Sequence, residues 1–398
     1  MDNPLVSLII FFTLYNPFEK QLSDKYVSGG IEGHVYYLSR KLDQLGCQIL
    51  VVTMGNVKKI SIEKKGRTNL IVIPDRGRKG LFERSLLFIL EGRRIIKNLE
   101  RRKVNAFIGE GGLSSPLAFF KPKSAKVILT IHTLDGEDLA NIKDSIRLRK
   151  QGEAFIDTIK YLLLKLWRTF LLLRSDELIF VSNAVYREFR KYYWYLPKKS
   201  YFVIENGFPG LNKEENRHEK TKYIDYIYVG RIGKRKCVDD IIRACSLLRR
   251  TNDFSVIIVG EGALRYMIEE MTEKNNLTEN IKFTGYIESD EKVLELMSNA
   301  KFLILPSAYE SDPLVIKEAL SVGTPCIVSD ISALEEKIID GKNGFVFRLN
   351  NFEDLSKKME KALNLDEKAY DSLCKESFKS VVGRDWRKVA EEYLRVIR

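Results

Sequence analysis

The 398-residue sequence has few of the residues that build metal centres or disulfide frameworks. It contains 5 cysteines and 3 histidines, and no two cysteines form a Cys-x-x-Cys pair. The odd, scattered cysteines therefore indicate neither a zinc site nor a disulfide framework, and we expect a protein of the reducing cytoplasm. No apolar run approaches the ~18 residues that a membrane-spanning helix needs. The first residues, Met-Asp-Asn-Pro, lack the basic segment of a signal peptide, so none is expected.

Charge is distributed unevenly along the chain. The formal net charge is +12, and residues 1–208 hold 35 Lys and Arg against 21 Asp and Glu, whereas residues 209–398 hold 31 against 33. A basic half of this kind can face an anionic membrane or a nucleic acid, or it can be an ordinary solvated surface. No helix-turn-helix, zinc-finger or aromatic RNA-binding signature accompanies the charge, so nucleic acid is not expected as a partner.

Strand-like and helix-like segments alternate throughout, which is the pattern of parallel sheets with crossover helices. The chain is longer than one core usually supports, and a wholly polar segment interrupts the alternation at 212–222. We therefore predict α/β domains over 1–208 and 223–380, a linker over 209–222, and a final helical segment over 381–398. The predicted strands are 6–12, 48–53, 70–73, 106–108, 126–131, 177–181, 201–204, 223–229, 255–259, 281–283, 302–305, 326–328 and 345–347.

Two glutamates eight positions apart, Glu310 and Glu318, form the most informative pattern. Apolar runs precede and follow them, so the predicted layout is strand, loop with Glu310, helix with Glu318, strand. Pro313 suits the first helical turn, where its missing N–H costs nothing. Both acids and the helix N-terminus would then face the carboxyl end of a parallel sheet, where open α/β folds bind ligands.

A cationic turn opens the second predicted domain. Gly230 ends a strand, Arg231 follows it, and Lys236 precedes a helix. Fixed cations beside helix N-terminal amides form a good diphosphate clamp. A basic loop of this kind is by itself more often only a surface feature. Its place before the two glutamates favours the functional interpretation.

The first predicted domain offers weaker signals. Gly29 and Gly30, between the first strand and the first long helix, let the backbone approach a phosphate or a sugar closely, although any tight turn can use two glycines. His132 follows the strand 126–131 and would face the ligand crevice if that strand is parallel. Lone histidines are more often structural. His34 is predicted to lie along the first helix without a catalytic task.

Taken together, these motifs resemble those of the retaining, nucleotide-sugar-dependent glycosyltransferases of the GT-B type, family 4 (glycosyl transferases group 1). The resemblance extends over essentially all 398 residues. It implies two Rossmann-like parallel-sheet domains that face a cleft, the first binding the acceptor and the second the nucleotide sugar. It also implies that the C-terminal helix crosses back to the first domain.

The resemblance implies a role for each candidate residue. Arg231 and Lys236 would bind the donor diphosphate, Glu318 the ribose hydroxyls, Glu310 a hydroxyl of the donor sugar, and His132 the same sugar. The predicted catalytic residues are Glu310, His132, Arg231 and Lys236. The predicted donor-binding residues are Gly29, Gly30, Arg231, Lys236, Glu310, Ser311, Asp312, Pro313, Leu314 and Glu318.

Three positions depart from the family's pattern. Cys237 stands where the family usually has glycine, and Ser311 and Asp312 stand where it usually has glycine and often an aromatic residue. Asp312 would add a negative charge beside the sugar site, or it would serve only as a solvent-facing cap. The identity of the donor sugar therefore stays open.

The expected reaction is transfer of a sugar from a nucleotide-diphosphate sugar to a hydroxyl of a glycan, a lipid-linked glycan or a small molecule, with retention. No cofactor is expected. The chain has no Asp-x-Asp to hold a metal, and Arg231 and Lys236 would neutralise the leaving diphosphate instead. A same-fold epimerase or phosphorylase is the alternative enzyme, and a basic nucleic-acid-binding protein is the non-enzymatic one.

Other enzyme classes fit the sequence less well. A hydrolase with paired carboxylates would leave the cationic turn unexplained. A dinucleotide-dependent oxidoreductase needs Gly-x-Gly-x-x-Gly after a strand, and Gly260-Glu-Gly262 lacks the third glycine.

Two segments bear on which acceptor the protein uses and where in the cell it lies. The basic stretch 76–103 and the helical stretch 155–173 could dock on an anionic membrane that carries a polyprenyl-phosphate-linked sugar. The alternative for 155–173 is a buried crossover helix. We expect a cytoplasmic protein, with peripheral membrane association as a second prediction.

Overall fold

A computed structural model describes residues 8–15, 30–65, 68–75, 81–99, 104–110, 125–133, 165–166, 168–197, 199–208 and 223–398. The strands are β1 (Leu8–Tyr15), β2 (Gln48–Gly55), β3 (Ser61–Lys65), β4 (Thr68–Pro74), β5 (Ala106–Glu110), β6 (Lys126–Ile131), β7 (Glu177–Phe180), β8 (Tyr201–Val203), β9 (Ile224–Val229), β10 (Val256–Val259), β11 (Ile281–Gly285), β12 (Ala300–Leu305), β13 (Cys326–Ser329) and β14 (Gly344–Phe347). The helices are α1 (Gly30–Gln44), α2 (Leu81–Leu99), α3 (Asn183–Tyr192), α4 (Val238–Leu248), α5 (Arg265–Lys274), α6 (Asp290–Ser298), α7 (Leu314–Ser321), α8 (Ser332–Glu335), α9 (Phe352–Leu363), α10 (Glu367–Lys379) and α11 (Trp386–Ile397).

The chain divides into two compact units, which we call the first and second units. The first contains β1 to β8 together with Arg387–Arg398, and the second contains Gly207–Trp386. Almost the entire final helix is therefore grouped with the first unit. The predicted linker, 209–222, lies outside the described residues.

The first unit is built on an eight-stranded sheet in the order β3-β4-β2-β1-β5-β6-β7-β8. All neighbouring strands are parallel except β3, which pairs antiparallel with β4 at the sheet edge. The inner strands have no exposed face, so they read as continuous apolar runs. Four successive residues of β1, Ile9 to Phe12, are fully buried for this reason.

The second unit contains a six-stranded parallel sheet in the order β11-β10-β9-β12-β13-β14. Counted within the unit, this is the doubly wound order 3-2-1-4-5-6. The order reverses between β9 and β12, which are direct neighbours in the sheet. A large apolar core surrounds these strands, with Tyr226, Phe302 and Phe345 among its largest buried side chains.

The predicted fold is confirmed as two parallel-sheet α/β domains. Every predicted strand is present, and most of their ends differ from prediction by one to three residues. β3, a short edge strand of sequence Ser-Ile-Glu-Lys-Lys, was not among the predicted strands. No helix among the described residues combines the length and apolarity needed to cross a bilayer.

Candidate active site

The second unit brings its candidate residues together at the point where the strand order reverses. The loop after β9 carries Arg231 and Lys236, and the loop after β12 carries Glu310. Because β9 and β12 are parallel neighbours, both loops leave the same edge of the sheet. This is the position at which doubly wound sheets bind ligands.

An ion pair joins the two loops. Lys236 Nζ donates to Glu310 Oε1, with 27% of the lysine and 11% of the glutamate side chain exposed. The backbone fixes this contact, since Ala308 N donates to Arg235 O at 2.8 Å. Arg231 is exposed beside them, and the Tyr228 hydroxyl donates to its carbonyl at 2.8 Å. Cation and carboxylate are thus held within reach of one small ligand.

Two glycines allow the loop after β10 to pack against the loop after β9. A Cβ on Gly260 would lie 1.9 Å from the carbonyl oxygen of Gly230, and one on Gly262 would lie 2.2 Å from that of Ile232. Both contacts are with backbone atoms, which cannot move aside cheaply. The pair Gly260-Glu-Gly262 therefore supports the cationic turn sterically and is no dinucleotide-binding fingerprint.

Cys237 adopts the backbone conformation that the family's usual glycine would take without strain. It follows a single 3-10 turn, Lys234–Lys236, and has φ 47° and ψ 42°, in the left-handed region. A residue with a Cβ pays about 1–2 kcal/mol there. Cys237 therefore carries a backbone strain that glycine, the family's usual residue here, would not carry.

Cys237→Gly is accordingly expected to raise the free energy of unfolding by about 1 kcal/mol, because glycine relieves the left-handed strain. Urea unfolding followed by circular dichroism measures the change. Cys237→Ala is the matched control, since it removes the thiol and keeps the strained Cβ. Equal stability of the glycine and alanine variants would contradict this explanation.

Glu318 lies on α7, half-buried, at the same end of the sheet. Burial, reinforced by the nearby charge of Asp290, raises its pKa to about 7. Within the described part of the chain, no group donates a hydrogen bond to its carboxylate. A half-buried carboxylate with no protein donor is suited to accept hydrogen bonds from two ligand hydroxyls, which would favour its ionised form.

If Glu318 binds the nucleotide, as the resemblance implies, this binding is expected to strengthen as pH rises through about 7. Between pH 6 and pH 8 the ionised fraction of a group with this pKa grows from about a tenth to about nine tenths, so affinity relative to Glu318→Gln is expected to rise about ninefold. Calorimetric titration of both proteins with UDP or GDP measures the ratio and cancels the titration of the nucleotide itself. Asp290→Asn should shift the rise to lower pH. A ratio independent of pH would contradict the role of Glu318.

Asp312 is buried, so of the two alternatives given for it the solvent-facing cap is wrong. Its carboxylate is 2.6 Å from Lys317 Nζ and 3.5 Å from Lys337 Nζ, and all three side chains are at least nine-tenths buried. The two ammonium groups neutralise the carboxylate. Asp312 therefore fixes the segment between Glu310 and α7, which begins directly after Pro313 at Leu314.

In the first unit, His132 directly follows β6 and is buried, 3% exposed. The strand is parallel to its neighbours, as predicted. Its Nε2 lies 2.7 Å from Glu110 Oε2, and Glu110 ends the neighbouring strand β5. The His34 ring packs edge-on against that of His132, with centroids 4.8 Å apart. Glu110 was not among the predicted site residues, and His34 was predicted to have no catalytic task.

The remaining predicted residues are placed as follows. Gly30 is exposed and is the first residue of α1, and a Cβ there would meet nothing within 4 Å. Gly29 lies outside the described residues. Glu310, Ser311, Pro313 and Glu318 follow one another from the loop into α7, so the predicted layout of strand, loop, helix and strand is the one observed.

Comparison with known proteins gives consistent matches. The family model "Glycosyltransferase Family 4" matches residues 28–209, and "Glycosyl transferases group 1" matches residues 211–377. An uncharacterized glycosyltransferase of Methanocaldococcus jannaschii is 28% identical over 340 residues, covering 85% of this chain and 86% of the relative. Sucrose-phosphate synthase from Thermosynechococcus elongatus aligns with a TM-score of 0.76 at 20% identity over 98% of both chains. A mutant of TarM from S. aureus, in complex with fondaparinux, alpha-GlcNAc-glycerol and UDP, aligns with a TM-score of 0.61 at 18% identity over 79% of this chain and 59% of that one.

The fold and these alignments define a glycosyltransferase of the GT-B class. Within this class, two adjoining family models, one matching each half of the chain, identify the family. The chain belongs to glycosyltransferase family 4, the glycosyl transferases group 1.

Proposed function

We propose that this glycosyltransferase transfers a sugar from a nucleotide-diphosphate sugar to a hydroxyl acceptor with retention and without a metal ion. The observation that carries the proposal is the contact of Lys236 with Glu310 where the second sheet reverses its strand order. A fixed cation beside a carboxylate suits a ligand that joins a diphosphate to a polyhydroxylated sugar. UDP in the TarM complex supports a nucleoside diphosphate as the leaving group.

Each side chain has a separate task in the proposed reaction. Lys236 and Arg231 bind the diphosphate and neutralise the charge that develops as it leaves. Glu318 accepts hydrogen bonds from the ribose hydroxyls. When the donor binds, its phosphate oxygens become the new partner of Lys236, and Glu310 accepts from a sugar hydroxyl instead.

The bond changes need no enzyme nucleophile. The bond between the anomeric carbon and the phosphate oxygen breaks, and the acceptor oxygen bonds to the same face of that carbon. The leaving phosphate oxygen takes the acceptor's proton. Glu310 orients the sugar, which supplies the positioning component of the rate enhancement.

A screen of nucleotide sugars tests the donor class. The full-length protein is mixed with UDP- and GDP-linked sugars, and protection against thermal unfolding and release of the nucleoside diphosphate are measured. We expect one donor to raise Tm and to be hydrolysed slowly when the acceptor is water.

Proton NMR of the transferred sugar then reports its anomeric configuration, and activity in EDTA reports metal independence. Inversion, or activity restored only by added metal, would overturn that part of the proposal.

Two same-fold activities give different products in the screen. A phosphorylase would release a sugar phosphate when inorganic phosphate is added, and an epimerase would interconvert donor sugars without net transfer. Neither product is expected here. Protection by nucleic acid and indifference to nucleoside diphosphates would favour the non-enzymatic alternative.

We also propose that the acceptor is presented at an anionic membrane. Of the two segments predicted to dock there, 76–80, 100–103, 155–164 and 167 lie outside the described residues. Support comes from the end of α3, where Arg190 and Lys191 are followed by exposed aromatic side chains. Trp194 is 74% and Tyr195 44% exposed. Aromatic and basic side chains on one surface are typical of proteins that lie on a membrane.

An apolar cavity of about 300 Å³ lies beside these residues in the first unit. Its lining includes Leu172, Phe180, Phe189 and Leu196, with Arg190 among the polar groups. The basic and apolar lining would suit the chain and headgroup of an anionic lipid. Co-sedimentation with vesicles that contain phosphatidylglycerol is expected at low salt and should weaken in Trp194→Ser. Equal recovery with neutral vesicles would contradict the proposal.

A further inference from the structure

A buried carboxylate in the first unit contacts groups from two neighbouring segments. Glu110 has a fully buried side chain at the end of β5. His132 Nε2 lies 2.7 Å from its Oε2, and the Thr130 hydroxyl donates to its Oε1 at 3.3 Å. His34 Nε2 lies 3.9 Å from the same Oε1, too far for a hydrogen bond but close enough for charge attraction.

A tyrosine from the final helix closes the gap between His34 and this carboxylate. The Tyr393 hydroxyl lies 3.0 Å from Thr130 Oγ1 and 3.2 Å from His34 Nε2. On the other side of the ring, His34 Nδ1 lies 2.6 Å from Asn206 Oδ1. The contacts therefore form one continuous chain from Asn206 to the Glu110 carboxylate.

When His34 is charged, all the hydrogen bonds between His34 and Glu110 can point towards Glu110. An acceptor at Asn206 Oδ1 requires a proton on His34 Nδ1. If Nε2 is also protonated, it donates to Tyr393, Tyr393 donates to Thr130, and Thr130 donates to an ionised Glu110. Each contact then holds one hydrogen, and the two buried charges compensate each other.

When His34 and Glu110 are both neutral, the same hydrogen bonds can all point towards His34. Glu110 then carries the proton on Oε1 and donates to Thr130, Thr130 donates to Tyr393, and Tyr393 donates to His34 Nε2. The two arrangements contain the same number of protons and differ only in the place of one, which moves from His34 to Glu110. Each hydroxyl passes on one hydrogen and receives another, so no atom is left over or missing.

We propose that Tyr393 and Thr130 form a buried proton relay between His34 and Glu110, and that this relay sets the charge beside His132. In both arrangements His132 Nε2–H donates to Glu110 Oε2, which fixes the ring's orientation and tautomer. An ionised Glu110 makes His132 more basic, and a protonated one makes it less basic. His34, Thr130 and Tyr393 are thus positioning residues for His132, and the consequence for transfer rests on the proposed function.

The electrostatics of the site suit such a relay. Burial raises the pKa of Glu110 to about 7, opposed by the charge of His34 and by the hydrogen bond from Thr130. An ordinary histidine titrates at about 6.5, so the two ends compete for the proton on nearly equal terms. The titratable groups that face Glu110 among the described residues are His34, His132 and Tyr393.

Histidine NMR tests the relay without any need for activity. The chain has only three histidines, at positions 34, 132 and 218, so a ¹⁵N-labelled full-length protein gives three imidazole spin systems. We expect His34 and His132 to titrate with a shared midpoint in the wild type. In Tyr393→Phe, which keeps the ring and removes the hydroxyl, the two midpoints are expected to separate.

The activity readout uses the donor found by the screen. Partners of a functional histidine typically contribute about 10- to 100-fold, so Tyr393→Phe is expected to lower kcat at least about tenfold with KM for the donor little changed. It should also shift the low-pH limb of the kcat profile. Thr130→Val, similar in shape to threonine, should reproduce both effects. Tyr226→Phe is the control, since Tyr226 is buried and donates to Met359 O at 2.6 Å in the second unit.

Two results would overturn the relay. The first is unchanged histidine midpoints in folded Tyr393→Phe and Thr130→Val proteins. The second is one equivalent of zinc in the purified protein that is lost in Glu110→Gln, since a metal on the imidazole nitrogens would replace the relay proton. If the screen finds no donor but the midpoints separate, the proposed function fails and the relay stands.

Discussion

Alanine in place of Lys236 is expected to lower the rate of sugar transfer by about 10²- to 10³-fold and to leave the fold intact. This is the usual loss when one preorganised group that stabilises developing charge is removed. The ion pair with Glu310 is partly exposed, so its contribution to stability is small. The expected loss is in kcat, measured with saturating donor, because charge develops on the diphosphate only as it leaves.

Lys234→Ala is the matched control for this prediction. Lys234 lies in the same 3-10 turn and is exposed, so its removal changes the net charge equally. It should retain nearly full activity. Glu310→Ala should lose transfer to a similar extent, because in the proposed reaction Glu310 orients the sugar. Robust transfer by both Lys236→Ala and Glu310→Ala would disprove the assignment of this site.

Asp312→Ala is expected to destabilise the protein by about 3–5 kcal/mol, the cost of breaking a buried ion pair by removing one partner. Its carboxylate lies between Lys317 and Lys337, whose side chains are 4% and 8% exposed. Alanine would leave two buried ammonium groups without this counter-charge. The change is measured as the shift in free energy of unfolding in urea.

An exposed acid provides the comparison for Asp312. Glu270 pairs with Lys274 one turn along α5, with 46% and 70% of the side chains exposed. Glu270→Ala should cost less than about 1 kcal/mol. If both alanine variants cost the same, the buried pair does not hold the segment before α7.

The second unit was the more predictable from sequence. Strict alternation of apolar runs and helices identified its six strands, and Pro313 indicated where the helix with Glu318 begins. The first unit's edge strand β3 was missed because Ile62 is its one large apolar residue and is 77% exposed. A mostly charged pentapeptide offers little hydrophobic pattern, and only its pairing with β4 defines it as a strand.

Contacts between distant positions account for what the sequence could not predict. No pattern in the sequence around Lys236 or Glu310 indicates that the two side chains meet. Their loops are held together by the backbone hydrogen bond from Ala308 N to Arg235 O. His34 did carry a signal. It shares one helical face with Leu38 and Leu42, both of which are fully buried. A buried polar residue on an apolar face needs a polar group nearby. Glu110, at the end of a buried strand, lies close to His34.

Tyr393 follows the whole second unit in sequence, yet it belongs with the first unit. During synthesis the first half of the protein emerges long before this helix and can begin to fold alone. The sheet of the first unit can assemble at once, but the contacts of Thr130 and His34 with Tyr393 cannot form until the final helix has also emerged from the ribosome. Completion of the first unit therefore requires that the second unit, which lies between the sheet and the final helix in sequence, has already been synthesised.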